Sequence, residues 1–150
     1  MVQHRILLAT PATDTAMLLL GWLVRQGFYV GMANDVAQLG DLAKLTEAPE
    51  CLLLDDALGP ARLAPIVRCA RQVPSWEHTA ILVMGHFSEE QETDLFRAGA
   101  DDVIFKPLRV EALALRLIRS VRGRNAQKFS ENLQAIAATV GAIERAGECV

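Results

Sequence analysis

Two apolar runs in this chain end in charge. Cys51-Leu52-Leu53-Leu54 leads into Asp55 and Asp56, and Val103-Ile104-Phe105 leads into Lys106 and Pro107. If both runs are strands of one parallel sheet, a carboxylate and an ammonium meet at its carboxyl edge, where α/β folds build their sites. Such a pair can act on a ligand or stand as a partly buried ion pair, and pairing alone is weak ground for choosing. His86 falls near the same edge by count, so it is either a pH-sensing neighbour of the site or a solvated loop residue. Asp101 and Asp102 read as turn and surface residues. His4 and His78 have no convergent partners along the chain.

The elements that must position these groups follow from hydrophobic period. Short apolar runs occur at Ile6 to Ala9, Tyr29 to Met32, Cys51 to Leu54, Ala80 to Met84 and Val103 to Phe105. Segments of helical period lie between them, at Asp14 to Gln26, Asp35 to Leu45, Pro60 to Gln72 and Ser88 to Ala98, with a last one starting near Val110. Asp35 with Gln38 and Ser88 with Gln91 have capping-box spacing. Five such units predict an α/β protein with a flavodoxin-like, doubly wound, five-stranded parallel sheet and an extended C-terminal helix. The expected division is a globular domain over 1–122 and a helical extension over 123–150.

Composition bounds what this fold can do. The chain has 150 residues, 51% of them hydrophobic, which is enough for one full core. A net charge of -3 gives no broad positive field, so nucleic acid is not an expected main partner. Arg119, Arg122, Arg124 and Lys128 read as a solvated helix face rather than an RNA contact. Cys51, Cys69 and Cys149 are odd in number and lack CxxC spacing, as expected of buried or incidental thiols in a reducing cytosol. The apolar stretch before Thr10 is too short for a signal peptide, and Ala16 to Val24 is far short of a membrane span. The reading is a soluble cytoplasmic protein. Neither GxxxxGKS/T nor GxGxxG occurs, and Thr10 to Asp14 does not advertise a flavin site.

From about Arg5 to Arg122 the chain resembles response-regulator receiver domains of the CheY-like type in order, spacing and motif. The most specific part is Ala98-Gly99-Ala100-Asp101-Asp102 followed by Lys106-Pro107. The resemblance implies that Asp55 is the phosphoacceptor, that Lys106 pairs with the phosphoryl group, and that Pro107 follows a cis peptide. It also implies a divalent cation held by carboxylates and a hydroxyl that binds one phosphoryl oxygen.

The chain departs from that pattern at the positions that carry the chemistry. Thr10 and Pro11 stand where the family places an acidic pair, which leaves Asp55, the Ala57 carbonyl and waters as a weakened magnesium site. Asp14 and Asp56 could substitute only in part, since Asp14 is expected inside the first helix and Asp56 is expected to point away from Asp55. Met84 replaces the switch threonine or serine and cannot donate to a phosphoryl oxygen. Val103 replaces the aromatic residue that moves with that hydroxyl. The resemblance is therefore to an atypical receiver, or pseudo-receiver, with no resident cofactor and no enzymatic activity.

Two helices suggest contacts instead. The first is uncharged from Ala16 to Val24 and offers Leu19 and Trp22 to a partner. In the tail Ala126, Phe129, Leu133, Ile136, Val140 and Ile143 recur at spacings of three and four, as in a coiled-coil seam. A helix from Val110 to Arg145 would extend roughly 54 Å. Gly123 is a natural break, beyond which the tail either pairs between chains or folds back on Trp22. The expected function is a signal-transduction module that associates with protein, as a homodimer and with a histidine kinase, a phosphotransfer protein or its own output domain. Two alternatives accompany it: a phospho-accepting receiver, and an N-terminal fragment of a larger regulator.

Overall fold

The computed structural model describes residues 3–45 and 47–148. The elements run β1 (Arg5–Ala9), α1 (Asp14–Arg25), β2 (Tyr29–Ala33), α2 (Val36–Leu45), β3 (Cys51–Asp55), α3 (Pro60–Gln72), β4 (Ala80–Gly85), α4 (Glu89–Ala98), β5 (Asp102–Phe105) and α5 (Val110–Glu148). All pairings are parallel, in the order β2-β1-β3-β4-β5. That is the flavodoxin-like order expected from the alternation of apolar runs and helical segments.

The pleat sorts the strand residues onto two faces. Leu52, Leu54, Ile81 and Val83 pack on the side covered by α2, α3 and α4, whereas Cys51, Leu53, Leu82 and Met84 pack with Leu23 of α1 and Leu113 of α5. Both faces are buried, which is why β3 and β4 read as unbroken apolar runs rather than alternating ones. Burial pushes the Cys51 thiol well up, and the Asp101 and Glu50 charges add to the shift, so it stays an inert thiol. Cys69 is exposed, and Cys149 lies outside the described residues.

Capping follows the sequence with one variation. Ser88 and Gln91 form a reciprocal capping box at α4. Asp35 accepts the Gln38 N–H at 2.7 Å, but the Gln38 side chain accepts from Asn34 instead of Asp35.

The last helix differs from expectation at Gly123. α5 runs unbroken for 39 residues, about 58 Å at 1.5 Å per residue. Leu113, Leu117 and Val121 pack one face of its first part on the sheet. Immediately after Gly123, Arg124 donates through Nε and Nη2 to Asp101 Oδ1 at 2.9 and 2.7 Å, a tie to the body of the domain at the point where the glycine would favour a break. Arg124 is thus a bonded residue rather than part of a solvated basic face. The seam does not fold back on Trp22: Phe129, Leu133, Ile136, Val140 and Ile143 are between 47% and 66% exposed.

Asp101 is likewise more than a turn residue. Its Oδ2 accepts from Arg71 Nη2 and from the Ile81 N–H, both at 2.8 Å, so one carboxylate joins α3, β4 and α5. Arg71 spends its other donors on the Gly99 and Thr79 carbonyls. The two remaining histidines also have partners: His4 Nδ1 lies 2.6 Å from Glu50, and His78 Nε2 lies 3.1 Å from Glu131 of α5.

Asp101→Asn removes the charge that two mostly buried guanidinium groups share. Its cost is expected to be about 2 kcal/mol, below the figure for a fully buried pair because all three side chains keep some solvent contact. Urea denaturation measures it, and a midpoint equal to that of the unaltered chain would show that the cluster contributes nothing.

Candidate functional site

The carboxyl edge of the sheet brings together most of the residues expected there. Asp55 ends β3 directly beside Met84 of β4, and Gly85 sits beside Phe105 of β5. The Lys106 N–H continues this ladder by donating to the Gly85 carbonyl at 3.0 Å, and the Lys106–Pro107 peptide is cis. Lys106 Nζ donates to Asp55 Oδ1 at 2.6 Å and to Asp56 Oδ1 at 2.7 Å. One ammonium therefore bridges both carboxylates.

Asp56 thus turns toward Asp55, contrary to the sequence expectation, and the reason is Gly85. A Cβ at residue 85 would lie 2.5 Å from the Asp56 Cβ, so the glycine leaves the space that the carboxyl group occupies. Once there, Asp56 Oδ2 also accepts the His86 N–H at 3.0 Å. The His86 ring is largely exposed, with Nδ1 4.0 Å from the same oxygen. Asp55 is equally committed. Its Oδ1 also accepts the Ala57 N–H at 3.0 Å, and its Oδ2 accepts the Thr10 hydroxyl at 2.8 Å. Thr10 is buried, with its N–H bonded to the Ala33 carbonyl and its own carbonyl to the Asn34 side chain.

Burial alone would push the Asp56 carboxyl up. Hydrogen bonds from Lys106 and the His86 N–H, with the neighbouring Asp55 and the Lys106 charge, outweigh it and hold the group below its ordinary value. For Lys106 burial would push the ammonium down, but its bonds to Asp55 and Asp56 and their charges raise it. The cluster holds two acids and one base, so it keeps one negative charge.

Other expected positions are occupied differently. Met84 is fully buried among Leu53, Ile104 and Leu113, and Val103 packs with Leu95 and Ala98 beneath α4. Asp14 opens α1 and has no bond to the cluster. Leu19, expected on a partner surface, belongs to the core, while Trp22 is half-buried against it. The exposed apolar residues of α1 are instead Met17, Leu18 and Val24, because the helix turns Leu19 and Leu23 onto the sheet. The sequence reading missed Gly85 and the donor role of Thr10. A glycine closing an otherwise wholly apolar strand opposite paired acids was the available signal.

Comparison with solved structures places this geometry. A response-regulator receiver domain from Bermanella marisrubri superposes with a TM-score of 0.71 at 24% identity, over 80% of this chain and 99% of its own. The fold is the receiver fold. The receiver domain of a sensor histidine kinase from Pseudomonas aeruginosa, solved with magnesium coordinated in its active-site cleft, matches at TM-score 0.69 and 19% identity, over 80% of this chain and 98% of its own. NtrX from Brucella abortus matches at TM-score 0.76 and 22% identity over 88% of this chain, which spans only 30% of NtrX. Neither a protein-family model nor a curated protein sequence matches the chain. Among the described residues, no helix is long and apolar enough to cross a membrane.

The sign of the pH dependence follows from the two shifts. The stability Asp56 contributes is fully present above its ordinary value of 3.8 and is lost as pH falls below it. That of Lys106 is fully present below its ordinary value of 10.5 and is lost as pH rises beyond it. Asp56→Asn is expected to flatten the acid limb of a denaturation-midpoint profile, and Lys106→Met the alkaline limb. Unchanged limbs would mean that the bridge contributes nothing to stability.

Proposed function

We propose that this chain is a regulatory module of the two-component response-regulator type that works by protein association, with magnesium-dependent phosphorylation of Asp55 impaired or absent. The observation that carries this reading is the closure of the site by its own residues: Lys106 holds both Asp55 and Asp56, and Thr10 holds the remaining Asp55 oxygen. Magnesium takes a near-octahedral shell of oxygens with carboxylate support. Thr10 and Pro11 supply no carboxylate, and the two acids that remain are tied to an internal cation. The residues do not fit the ion.

The output side of the site supports the same reading. Met84 offers a thioether where a hydroxyl donor would be needed. Val103, packed in the core, supplies no aromatic ring to move with it. In this reading the cluster is a structural closure of the sheet edge, and the protein is a cytoplasmic signalling module rather than an enzyme. Its partners are a histidine kinase, a phosphotransfer protein or an output domain, together with a second copy of itself.

Self-association is assigned to the distal part of α5. Five apolar side chains at spacings of four, three, four and three remain exposed there, the pattern two helices bury by pairing. Met17, Leu18 and Val24 with Trp22 give α1 a second apolar face for a protein partner.

Incubation with acetyl phosphate and magnesium, read by intact mass, is expected to leave the chain unmodified. A stoichiometric, base-labile adduct that disappears in Asp55→Asn would overturn this reading in favour of a phospho-accepting receiver. Sedimentation is expected to give a dimer for the unaltered chain and a monomer for Leu133→Lys/Val140→Lys. A monomer before substitution would end the pairing proposal.

A further inference from the structure

Glu77, His78 and Glu131 converge where the long helix passes the start of β4. Glu77 and His78 follow the helical turn Pro74–Trp76, and Trp76 and Thr79 on either side of them are buried, so this pair is fixed to the body of the domain. Glu131 comes from α5, about two turns beyond the Arg124 tie. His78 Nε2 lies 3.1 Å from Glu131 Oε2 and 4.0 Å from Glu77 Oε2, and the three atoms all fall within 4.8 Å of one another.

The chemistry of these atoms selects a class of cation. Nitrogen and oxygen ligands of a tetrahedral zinc stand roughly 3.4 Å apart, and the two His78 distances bracket that separation. Glu77 is the exposed member and free to close its gap. One imidazole with two carboxylates suits zinc and its transition-metal neighbours, whereas magnesium and calcium prefer oxygen alone. The ring offers the cluster only Nε2, because Nδ1 is buried with no partner. Charge is the independent observation. Among the described residues neither carboxylate is paired with a lysine or arginine, and Glu131 Oε1 has only the Gln127 amide at 3.4 Å. Two acids therefore converge with no internal ammonium or guanidinium between them, the reverse of the arrangement at Asp55, where Lys106 fills that place.

We propose that Glu77, His78 and Glu131 bind one divalent cation of the zinc class, with water completing its shell, and that the ion fastens α5 to the body a second time. Glu131 stands two residues from Phe129 and two from Leu133, which puts it on the side of the helix opposite the seam. The site uses neither the seam nor the Asp55 cluster, so it stands or falls apart from both. Coordination through Nε2 leaves the ring hydrogen on Nδ1, which has no acceptor. Metal-bound imidazoles ordinarily donate that hydrogen to a second partner, worth about 10–100-fold in affinity. The site is therefore weaker than a structural zinc site, with binding expected in the micromolar range.

The test uses the untagged full chain carrying Cys69→Ser/Cys149→Ser, which removes thiols that would compete for the ion. Competition with a chromophoric zinc indicator is expected to show one zinc per chain. Glu131→Gln, an exposed change that keeps the circular dichroism of the parent, is expected to weaken binding at least tenfold, and His78→Gln to do the same. Hydrogen exchange at the amides of residues 127–135 is expected to slow at least tenfold with zinc in the parent and to stay unchanged in Glu131→Gln. No zinc on the parent chain, or equally tight binding by Glu131→Gln, overturns the site. Magnesium binding as tightly as zinc overturns the role of the imidazole, and zinc binding without slowed exchange overturns the second fastening.

Discussion

A parallel sheet buried on both faces finishes every strand at the same edge, and the rest of this molecule is arranged around that constraint. β3, β4 and β5 are neighbours, so whatever follows Leu54, Met84 and Phe105 must share one small volume. The chain places two acids, a glycine and a lysine there. Their convergence needs no loop to be held in place, because the Lys106 backbone is still part of the strand ladder and the Ala57 N–H fixes the Asp55 carboxylate locally. The apolar strand interiors thus position a polar cluster they never touch.

The same sheet carries charge at both ends and none between. At the amino edge Asp101 is shared by Arg71 and Arg124, and at the carboxyl edge Lys106 is shared by Asp55 and Asp56. The two clusters are mirror images in stoichiometry, one acid for two bases and one base for two acids. Neither is a simple ion pair: in each, one central group serves two partners of opposite charge. The backbone supplies further bonds in both: the Ile81 N–H donates to the central Asp101, and the His86 and Ala57 N–H groups donate to the outer acids Asp56 and Asp55. That division of labour keeps partly buried charge from being left without partners.

Most of the fold was legible in the sequence because its signals are local. The strands and α3 fell where apolar runs and helical period put them, and Ser88 with Gln91 marked the start of α4. Asp55, Lys106 and Pro107 were legible from their place at strand ends. What escaped was set by contacts between distant residues. The inward turn of Asp56 depends on a missing Cβ 29 positions later, at Gly85. The bond that ties α5 to the body just past Gly123 runs to a carboxylate 23 residues earlier, at Asp101. Leu19 was misplaced for a different reason: an uncharged helix gives no polar face from which to judge which side meets the sheet.

Arg124 also sets an angle. Successive residues of a helix are rotated by about 100°, so tying one residue to the body fixes the direction in which every later side chain points. With Arg124 clamped on Asp101, the azimuth of the exposed stripe from Phe129 to Ile143 is determined relative to the sheet. Any second body held by that stripe inherits the orientation. The helix is therefore a spacer with a rotational phase as well as a length, and adding or removing one residue after Arg124 would redirect the stripe by more than a quarter turn while leaving the receiver fold intact.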